Sequence, residues 1–503
     1  MISTNASKNE NDMLEEVIEA FKRQSRLSNV DFDIKEHTNY LLLYLANPTN
    51  RFFRILNQTL DSIPEENPYQ QHTTLKKRPK SPNERLLLSE VQLLRTVLSE
   101  NLTVTQHSFE DDFFSRYTVF GAEEQIKSHG NHIVYGRRGA GKSSLLAFFM
   151  HCLRQEKKPY AWVAMQTYSG REDIHVVTEV LMEVVEQFQK YNIASADLNK
   201  ARLKLESLAE EIDENIVENQ LNRLRPKIRK ALALIAEKYG SLFIFLDDVH
   251  VIKQEPVLLS HLYAICRDNR TFLKISGIEP FVKTYEPSSR QGLEKPYNAQ
   301  EIRLDYNLTM PEKSKNHIKS ILDAYAIYCA LPDISYLCGK GVLDRLVWVA
   351  AGVPRDALYI FSKAIARSTM KDEKKVSITS INAAASEMAE GKLKDMQQDV
   401  FGDSDDVKQI MEKIRLFCVN DKRKNAFIVE IQNENSLFAK IQQLIALRLL
   451  HVIHEGITPA GRRFMALMLD YGFGIRAARS VDLLEPKALT SPELRQLPIF
   501  PLS

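Results

Sequence analysis

Apolar residues follow two rhythms along this chain. From about residue 109 to residue 306 they gather in short uninterrupted runs separated by longer stretches of helical spacing, the pattern of a parallel sheet with crossover helices. The runs fall at 132–135, 160–165, 242–246 and 272–276, with another at 299–304, and each reads as a strand. Residues 1–104 instead read as helical, without strand alternation. One helix is predicted over 12–24, and a second, more apolar segment covers 40–60 with a break near Pro48. The stretch 64–80 is polar and basic with little to bury and reads as a linker, its Lys76, Lys77, Arg78 and Lys80 as solvated charges. Ser81, Pro82 and Glu84 then form a predicted helix start, with Ser81 as cap, Pro82 at the first position and Glu84 closing a capping box.

Within the sheet region, the charged stretch 195–230 is longer than one crossover needs and predicts an exposed helical hairpin inserted in the domain. Strand runs stop after residue 307, so 307–400 is predicted to be an all-helical subdomain. The remainder, 401–503, has a predicted helix over 406–419, a strand over 425–431, a helix over 436–449 and an extended piece over 451–457. A final helix over 460–471 would be capped by Thr458 and Pro459. That order resembles a winged-helix module. The expected fold class is an α/β P-loop sheet domain (105–306) with an all-α lid (307–400), a helical N-terminal region (1–104) and a winged-helix-like end (401–503).

Composition narrows the setting more than the function. Hydrophobic residues make up 44% of the chain and charged residues 26%, which excludes wholesale disorder and allows several cores. Lys and Arg total 67 against 65 Asp and Glu, so contact with nucleic acid requires a local basic patch. The five cysteines form no C-x-x-C pair, which argues against a disulfide framework or zinc ribbon and for a reducing compartment. No apolar run approaches the ~18 residues of a membrane span, and the polar N-terminus is unlike a signal peptide. The expected location is cytoplasmic, with no membrane partner.

The strongest chemical signal is Gly136-Arg137-Arg138-Gly139-Ala140-Gly141-Lys142-Ser143, followed by Ser144, which fits G-x-x-x-x-G-K-[ST] between a strand and a helix. Glycines let backbone N–H groups wrap phosphate oxygens, and the helix N-terminus adds its positive end. In this pattern Lys142 meets the β- and γ-phosphates, and the Ser143 hydroxyl ligates Mg²⁺. A second anchor is expected at the carboxyl end of a neighbouring strand, and the apolar run 242–246 ends in Asp247 and Asp248. Asp247 is assigned to the Mg²⁺ shell and Asp248 to orienting the attacking water. The expected ligands are ATP and Mg²⁺. The histidines form no metal-spaced group.

The order of these parts is similar to AAA+ ATPases of the origin-recognition and Cdc6 type and to their relatives, the STAND ATPases. Phe120-Gly121-Ala122-Glu123-Glu124 resembles the F-G-R-E-E box that covers adenine in that group, with Ala122 in place of the arginine. The strand ending in Ser276 and Gly277 stands where the first sensor belongs, which implies a γ-phosphate contact for Ser276. Gly352-Val353-Pro354-Arg355 is similar to the G-x-x-R second sensor of the lid and to the G-x-P of STAND proteins, which implies that Arg355 reaches the phosphates. Members often borrow an arginine from a neighbouring subunit, and Arg267, Arg270 and Arg290 are candidates, Arg290 first.

Two readings of the function follow. One is an ATP-binding and ATP-hydrolysing switch that couples nucleotide state to self-association, a protein partner or DNA, in replication control or phage defence. The other is an ATP-gated DNA-binding initiator or loader with little intrinsic hydrolysis. Candidate phosphate contacts in the C-terminal region are Arg462, Arg463, Arg476 and Arg479.

Overall fold

The structure, a computed structural model, describes residues 10–35, 40–79, 84–104, 114–304, 306–399, 404–432, 434–458, 461–476, 481–484, 487 and 489–502. Two compact units divide the chain, one formed by residues 1–103 with 312–387 and the other by residues 104–311 with 388–503. Ser81 and Pro82 of the first expected cap, the expected start of the sheet region near 109, and Pro459 of the second expected cap with Ala460 after it fall outside the described residues.

The first unit is mixed rather than helical at its N-terminal end. Helix Glu10–Ser25 buries Leu14, Val17, Ile18 and Phe21 along one stripe. It is followed by β1 (Asp31–Lys35), β2 (Tyr40–Leu45) and, after helix Asn50–Asp61, β3 (Thr73–Lys77). β1 pairs antiparallel and β3 parallel with β2, so the apolar run at 40–45 is a central strand and not a helix. Leu41, Leu42, Leu43 and Leu45 are all buried. A short run covered on both faces shows no period, and helix and strand are then indistinguishable by pattern. The linker reading of 64–80 fails at β3, where Thr73 and Leu75 point inward. Arg78 is not merely solvated either: its guanidinium lies 2.9 Å from Asp31 and 3.5 Å from the buried Glu90.

The helical region expected after residue 307 is present as helices Pro311–Tyr328, Val342–Val349 and Pro354–Met370, followed by Ile378–Asp399. It joins the N-terminal residues through specific bonds. The Asn47 N–H donates to the Ala330 carbonyl at 2.7 Å. Arg51 lies 3.9 Å from the centre of the Tyr328 ring and donates to its hydroxyl at 3.0 Å. The hydroxyls of Ser99 and Ser362 are 3.0 Å apart.

In the second unit the strands are β4 (His132–Tyr135), β5 (Tyr160–Ala164), β6 (Leu242–Asp247), β7 (Thr271–Gly277), the small hairpin β8 (Tyr285–Glu286) and β9 (Gln291–Gly292), and β10 (Gln300–Arg303). A five-stranded sheet runs β10-β4-β7-β6-β5, every pairing parallel. Strand alternation divides its side chains between two cores. Ile133, Ala161, Val163, Ile244, Leu246 and Ile275 enter one. Val134, Trp162, Phe243, Phe245 and Ile302 enter the other. The 195–230 stretch is a hairpin of helices Ser195–Ala209 and Glu214–Tyr239, with the Asp213 side chain capping the second. It is less exposed than expected, since Leu198, Leu205, Leu221 and Leu232 join the first core.

Residues 404–502 contain helix Ser404–Leu416, β11 (Ala426–Glu430), helix Ser436–Ala446, β12 (Leu450–Ile457), β13 (Phe464–Leu469) and β14 (Ile499–Phe500). These strands form a four-stranded sheet in the order β12-β13-β11-β14. The helix expected over 460–471 is β13, another short apolar run whose strand character comes from pairing with both β11 and β12. Among the described residues one helix stands between β11 and β12. A buried ionic cluster ties this sheet to helix Ile378–Asp399: Lys392 and His451 reach the same Asp470 oxygen at 2.6 and 2.9 Å. Burial pushes the His451 pKa down to about 4, so the ring stays neutral at physiological pH.

The Lys274 side chain lies wholly inside the sheet domain. Lys274 on β7 donates to the carbonyls of Ser128 and Gly130 at 2.8 and 2.9 Å, and burial pushes its pKa down to about 7. Lys274→Met removes the donor from both carbonyls and is expected to cost about 1–3 kcal/mol. Between pH 7 and the unfolded value near 10.4 the unfolded chain holds more protons at this position, so the wild type gains stability as pH rises. Thermal unfolding of both proteins at pH 7 and pH 9 should show the wild-type advantage widening at the higher pH.

Candidate nucleotide site

β4 is buried along its whole length and delivers the loop 136–141 to the carboxyl edge of the sheet, where helix Lys142–Gln155 begins. Two glycines make this turn possible. Gly139 and Gly141 have φ of 79° and 100°, which side chains rarely tolerate. At Gly141 a Cβ would also meet the Phe120 ring at 2.4 Å. The loop closes around its own lysine: Lys142 Nζ donates to the carbonyls of Gly136 and Arg137 at 3.2 and 3.4 Å and lies 3.8 Å from an Asp248 oxygen.

β6 carries its apolar run to the same edge and ends in Asp247. One Asp247 oxygen accepts the hydroxyls of Ser143 at 3.0 Å and Ser276 at 2.6 Å. Burial raises the Asp247 pKa, the charge of Asp248 raises it further, and the two hydroxyls pull it back. Asp248 stands in the left-handed region at φ 62°, and its N–H donates to Ser276 Oγ at 2.8 Å. The buried Ser276 hydroxyl thus holds both acids, one through a side chain and the other through the backbone. His250, buried behind them, has Nδ1 3.9 Å from Asp248. Lys142, Ser143, Asp247, Asp248 and Ser276 are therefore gathered at one place.

The remaining loop residues have distinct surroundings. Arg137 is buried and donates to the Tyr306 carbonyl at 2.6 Å, while Arg138 and Ser144 are half-buried. Ala140 is buried under the loop. The Tyr306 hydroxyl in turn donates to the Phe120 carbonyl at 3.0 Å, linking the phosphate loop to the 120 segment. Glu123 shapes that segment by accepting the N–H groups of Phe120 and Gly121 at 2.6 and 2.8 Å and the Tyr117 hydroxyl at 2.7 Å. Burial works against its charge, yet these donors hold its pKa below the usual carboxylate range. Ala122 is buried in the sheet domain's second core. The roles of Tyr306 and Tyr117 have no sequence signal, because neither belongs to a motif, and Tyr306 also acts across a long chain separation.

Arg355 belongs to the first unit, in the first turn of helix Pro354–Met370 after a left-handed Gly352. Arg267 and Arg270 precede β7, at the sheet edge opposite the phosphate loop, and Arg290 lies in the turn between β8 and β9. All three are exposed.

The donor set at this edge is hydroxyl and carboxylate oxygen, from Ser143 and Asp247. That fits Mg²⁺, which keeps most of its shell as water and phosphate oxygen and needs few protein ligands. Among the described residues no group of three His, Cys, Asp or Glu is placed to hold a metal ion, so no all-protein cage competes with this assignment.

The sequence matches the family described as AAA ATPase domain over residues 119–272. Residues 119–272 are an AAA ATPase domain. No curated protein matches the chain. Among solved structures, the chain is similar to the Walker-type ATPase of Pyrococcus abyssi at 13% identity, covering 72% of this chain and 96% of that one with a TM-score of 0.41. It is similar to the ORC2 protein of Aeropyrum pernix at 13% identity, covering 72% and 92% with a TM-score of 0.37. The RuvB Holliday junction branch migration motor of Thermotoga maritima matches at 11% identity, covering 74% and 91% with a TM-score of 0.31. At these values the family match and the site geometry alone carry the assignment. The matched AAA segment includes the phosphate loop and both acids and stops short of Ser276.

The phosphate loop of the AAA domain gives a direct test. Gly141→Ala adds a Cβ at positive φ and against Phe120, and is expected to lower stability by about 1–3 kcal/mol. Adding Phe120→Ala should recover only the part due to the clash. Thermal unfolding of the single and double variants separates the two contributions.

Proposed function

We propose that this protein is a nucleotide-dependent switch that binds ATP with Mg²⁺ and hydrolyses it. The observation that carries this reading is the convergence of the Ser143 and Ser276 hydroxyls on one Asp247 carboxylate oxygen, with Lys142 close to the neighbouring Asp248. The N–H groups of residues 137–144 wrap the β-phosphate. Lys142 exchanges its contact with Asp248 for the β- and γ-phosphates, and the Asp248 carboxylate is released to accept a proton from water. Ser143 and Asp247 would hold the metal. Mg²⁺, when bound, neutralises charge developing on the phosphoryl oxygens. Ser276 fixes both acids and registers the γ-phosphate. Arg355 supplies the lid's contact to the nucleotide, and Arg290 is the candidate offered to a neighbouring copy. Phosphoryl transfer requires mainly positioning and charge, so this set suffices.

The output is a changed disposition of the lid and of the winged-helix-like end, read by a second copy, a protein partner or DNA in replication control or phage defence. The DNA reading draws on Arg462 and Arg463. Both are exposed in the turn between β12 and β13, with Arg462 71% exposed and 3.7 Å from Glu430. Arg476 ends a short helix, and Arg479 lies outside the described residues.

Mg²⁺-dependent phosphate release from ATP is expected for the wild type and should disappear in Lys142→Ala and Asp247→Ala; a wild-type rate equal to either variant sinks the enzyme reading. Specific rates that rise with protein concentration support a trans arginine, and a specific rate independent of protein concentration argues for a monomer. If the wing turn binds DNA, reversing Arg462 and Arg463 to Glu should weaken binding and flatten its salt dependence by about one unit of slope per lost phosphate contact. Binding that ignores both substitutions excludes that role.

A further inference from the structure

The first five residues after Ser276 run straight into the C-terminal domain. β7 ends at Gly277, and the chain turns through a short helix, Glu279–Phe281. Phe281 leaves the sheet domain and packs on the core formed by Phe417, Phe427, Phe438, Ile441 and Phe500. On the near side, Ile278, Glu279 and Pro280 face Gln442, Ile445 and Ala446 of helix Ser436–Ala446 across a cavity of about 220 Å³ that the loop residues Gly136 and Arg137 also line. Arg303 of β10 fastens the turn by donating to Glu279 at 2.6 Å.

The turn has little freedom to move without moving Ser276. At Gly277 a Cβ would meet Val282 Cγ2 at 2.5 Å and Val249 Cγ1 at 3.6 Å, so Val282 is folded back onto the backbone between Ser276 and the turn. Val249 directly follows Asp248. A displacement of Phe281 is therefore passed through Val282 and Gly277 to Ser276, whose hydroxyl holds Asp247 and the Asp248 N–H. Packed interiors transmit shifts of this kind because they contain no slack.

We propose that Phe281 is a positioning residue for hydrolysis: its seat in the C-terminal core holds Ser276 in the register that aligns Asp247 and Asp248. The inference rests on the ATPase reading above and adds a regulatory consequence. Anything that draws helix Ser436–Ala446 away from the turn slows the chemical step while leaving the phosphate loop able to bind nucleotide.

The test compares the full-length wild type with Phe281→Ala, Phe281→Leu, Ser276→Ala and the double variant Ser276→Ala/Phe281→Ala. In Phe281→Ala, kcat should fall on the order of tenfold, as small misplacements of reacting groups do. The affinity for a fluorescent ATP analogue should stay within about twofold, and Phe281→Leu should restore turnover. In the Ser276→Ala background, Phe281→Ala should add nothing further, because it acts through that hydroxyl. An equal loss in both backgrounds, an unchanged kcat, or a parallel loss of affinity overturns the proposal. If Phe281→Ala fails to fold, Ile445→Ala, which trims the opposite wall of the cavity, is measured in the same cycle and decides it.

A wild type that does not hydrolyse ATP defeats the ATPase reading instead. The coupling is then judged by hydrogen exchange of peptides spanning 246–251 without nucleotide. Faster exchange at the Asp248 amide in Phe281→Ala retains the mechanical link, and unchanged exchange removes it.

Discussion

A carboxylate placed at the end of an otherwise wholly buried apolar strand governs the architecture of this protein. Asp247 sits where withdrawal from water disfavours its charge, and the structure answers with the hydroxyl donors of Ser143 and Ser276. Ser143 comes from the phosphate loop and Ser276 from the adjacent strand, so three separate segments must be in register for that oxygen to be satisfied. A parallel sheet achieves this because β4, β7 and β6 are neighbours and all end at the same edge. The fold is in this sense a device for bringing three chain segments, distant in sequence, to one oxygen atom.

The phosphate loop is held from outside as well as from within. Arg137 is bound to Tyr306, Tyr306 to the Phe120 carbonyl, and the Phe120 ring fills the space that a side chain at position 141 would need. Glu123 then fixes the Phe120 and Gly121 backbone. The glycines consequently have two separate reasons to be glycine: the backbone angle at 139 and 141, and close approach at 136, where a Cβ would lie 2.7 Å from the Leu304 carbonyl. The 136–141 loop and the segment around Phe120 are one packed arrangement.

Much of the candidate nucleotide site was legible because the chemistry expected of it demands particular residue types at fixed spacing, and the buried strands around it are long enough to stand out. Lys142, Ser143 and Asp247 fall into this class. The places where pattern failed share a physical cause. The runs at 40–45 and 464–469 are short, apolar and covered on both sides, so only their pairing partners decide that they are strands. β3 was hidden by the charges beside it, Lys76 and Lys77, which lie at its exposed end while Thr73 and Leu75 are buried. Tyr306 and Phe281 act through contacts made across long sequence separations, which no local window reports. Ser276 is singled out in the sequence only by the family resemblance, and its hydrogen bonds to Asp247 and to the Asp248 N–H depend on the pairing of β7 with β6, which no local pattern reports.

The first unit is built from two stretches of chain with the entire AAA domain between them. Its N-terminal residues supply Asn47, Arg51 and Ser99, but the groups that receive them, Ala330, Tyr328 and Ser362, belong to the later stretch. On the ribosome the first stretch therefore emerges with its partner surface unmade, and it must wait through the synthesis of the AAA domain for the helices that complete it. Domains generally fold as they emerge, and exposed apolar surface in that interval invites aggregation. The order of the genetic message thus makes the first residues synthesised wait for residues 312–387 before their unit can close, and residues 388–503 of the second unit follow later still.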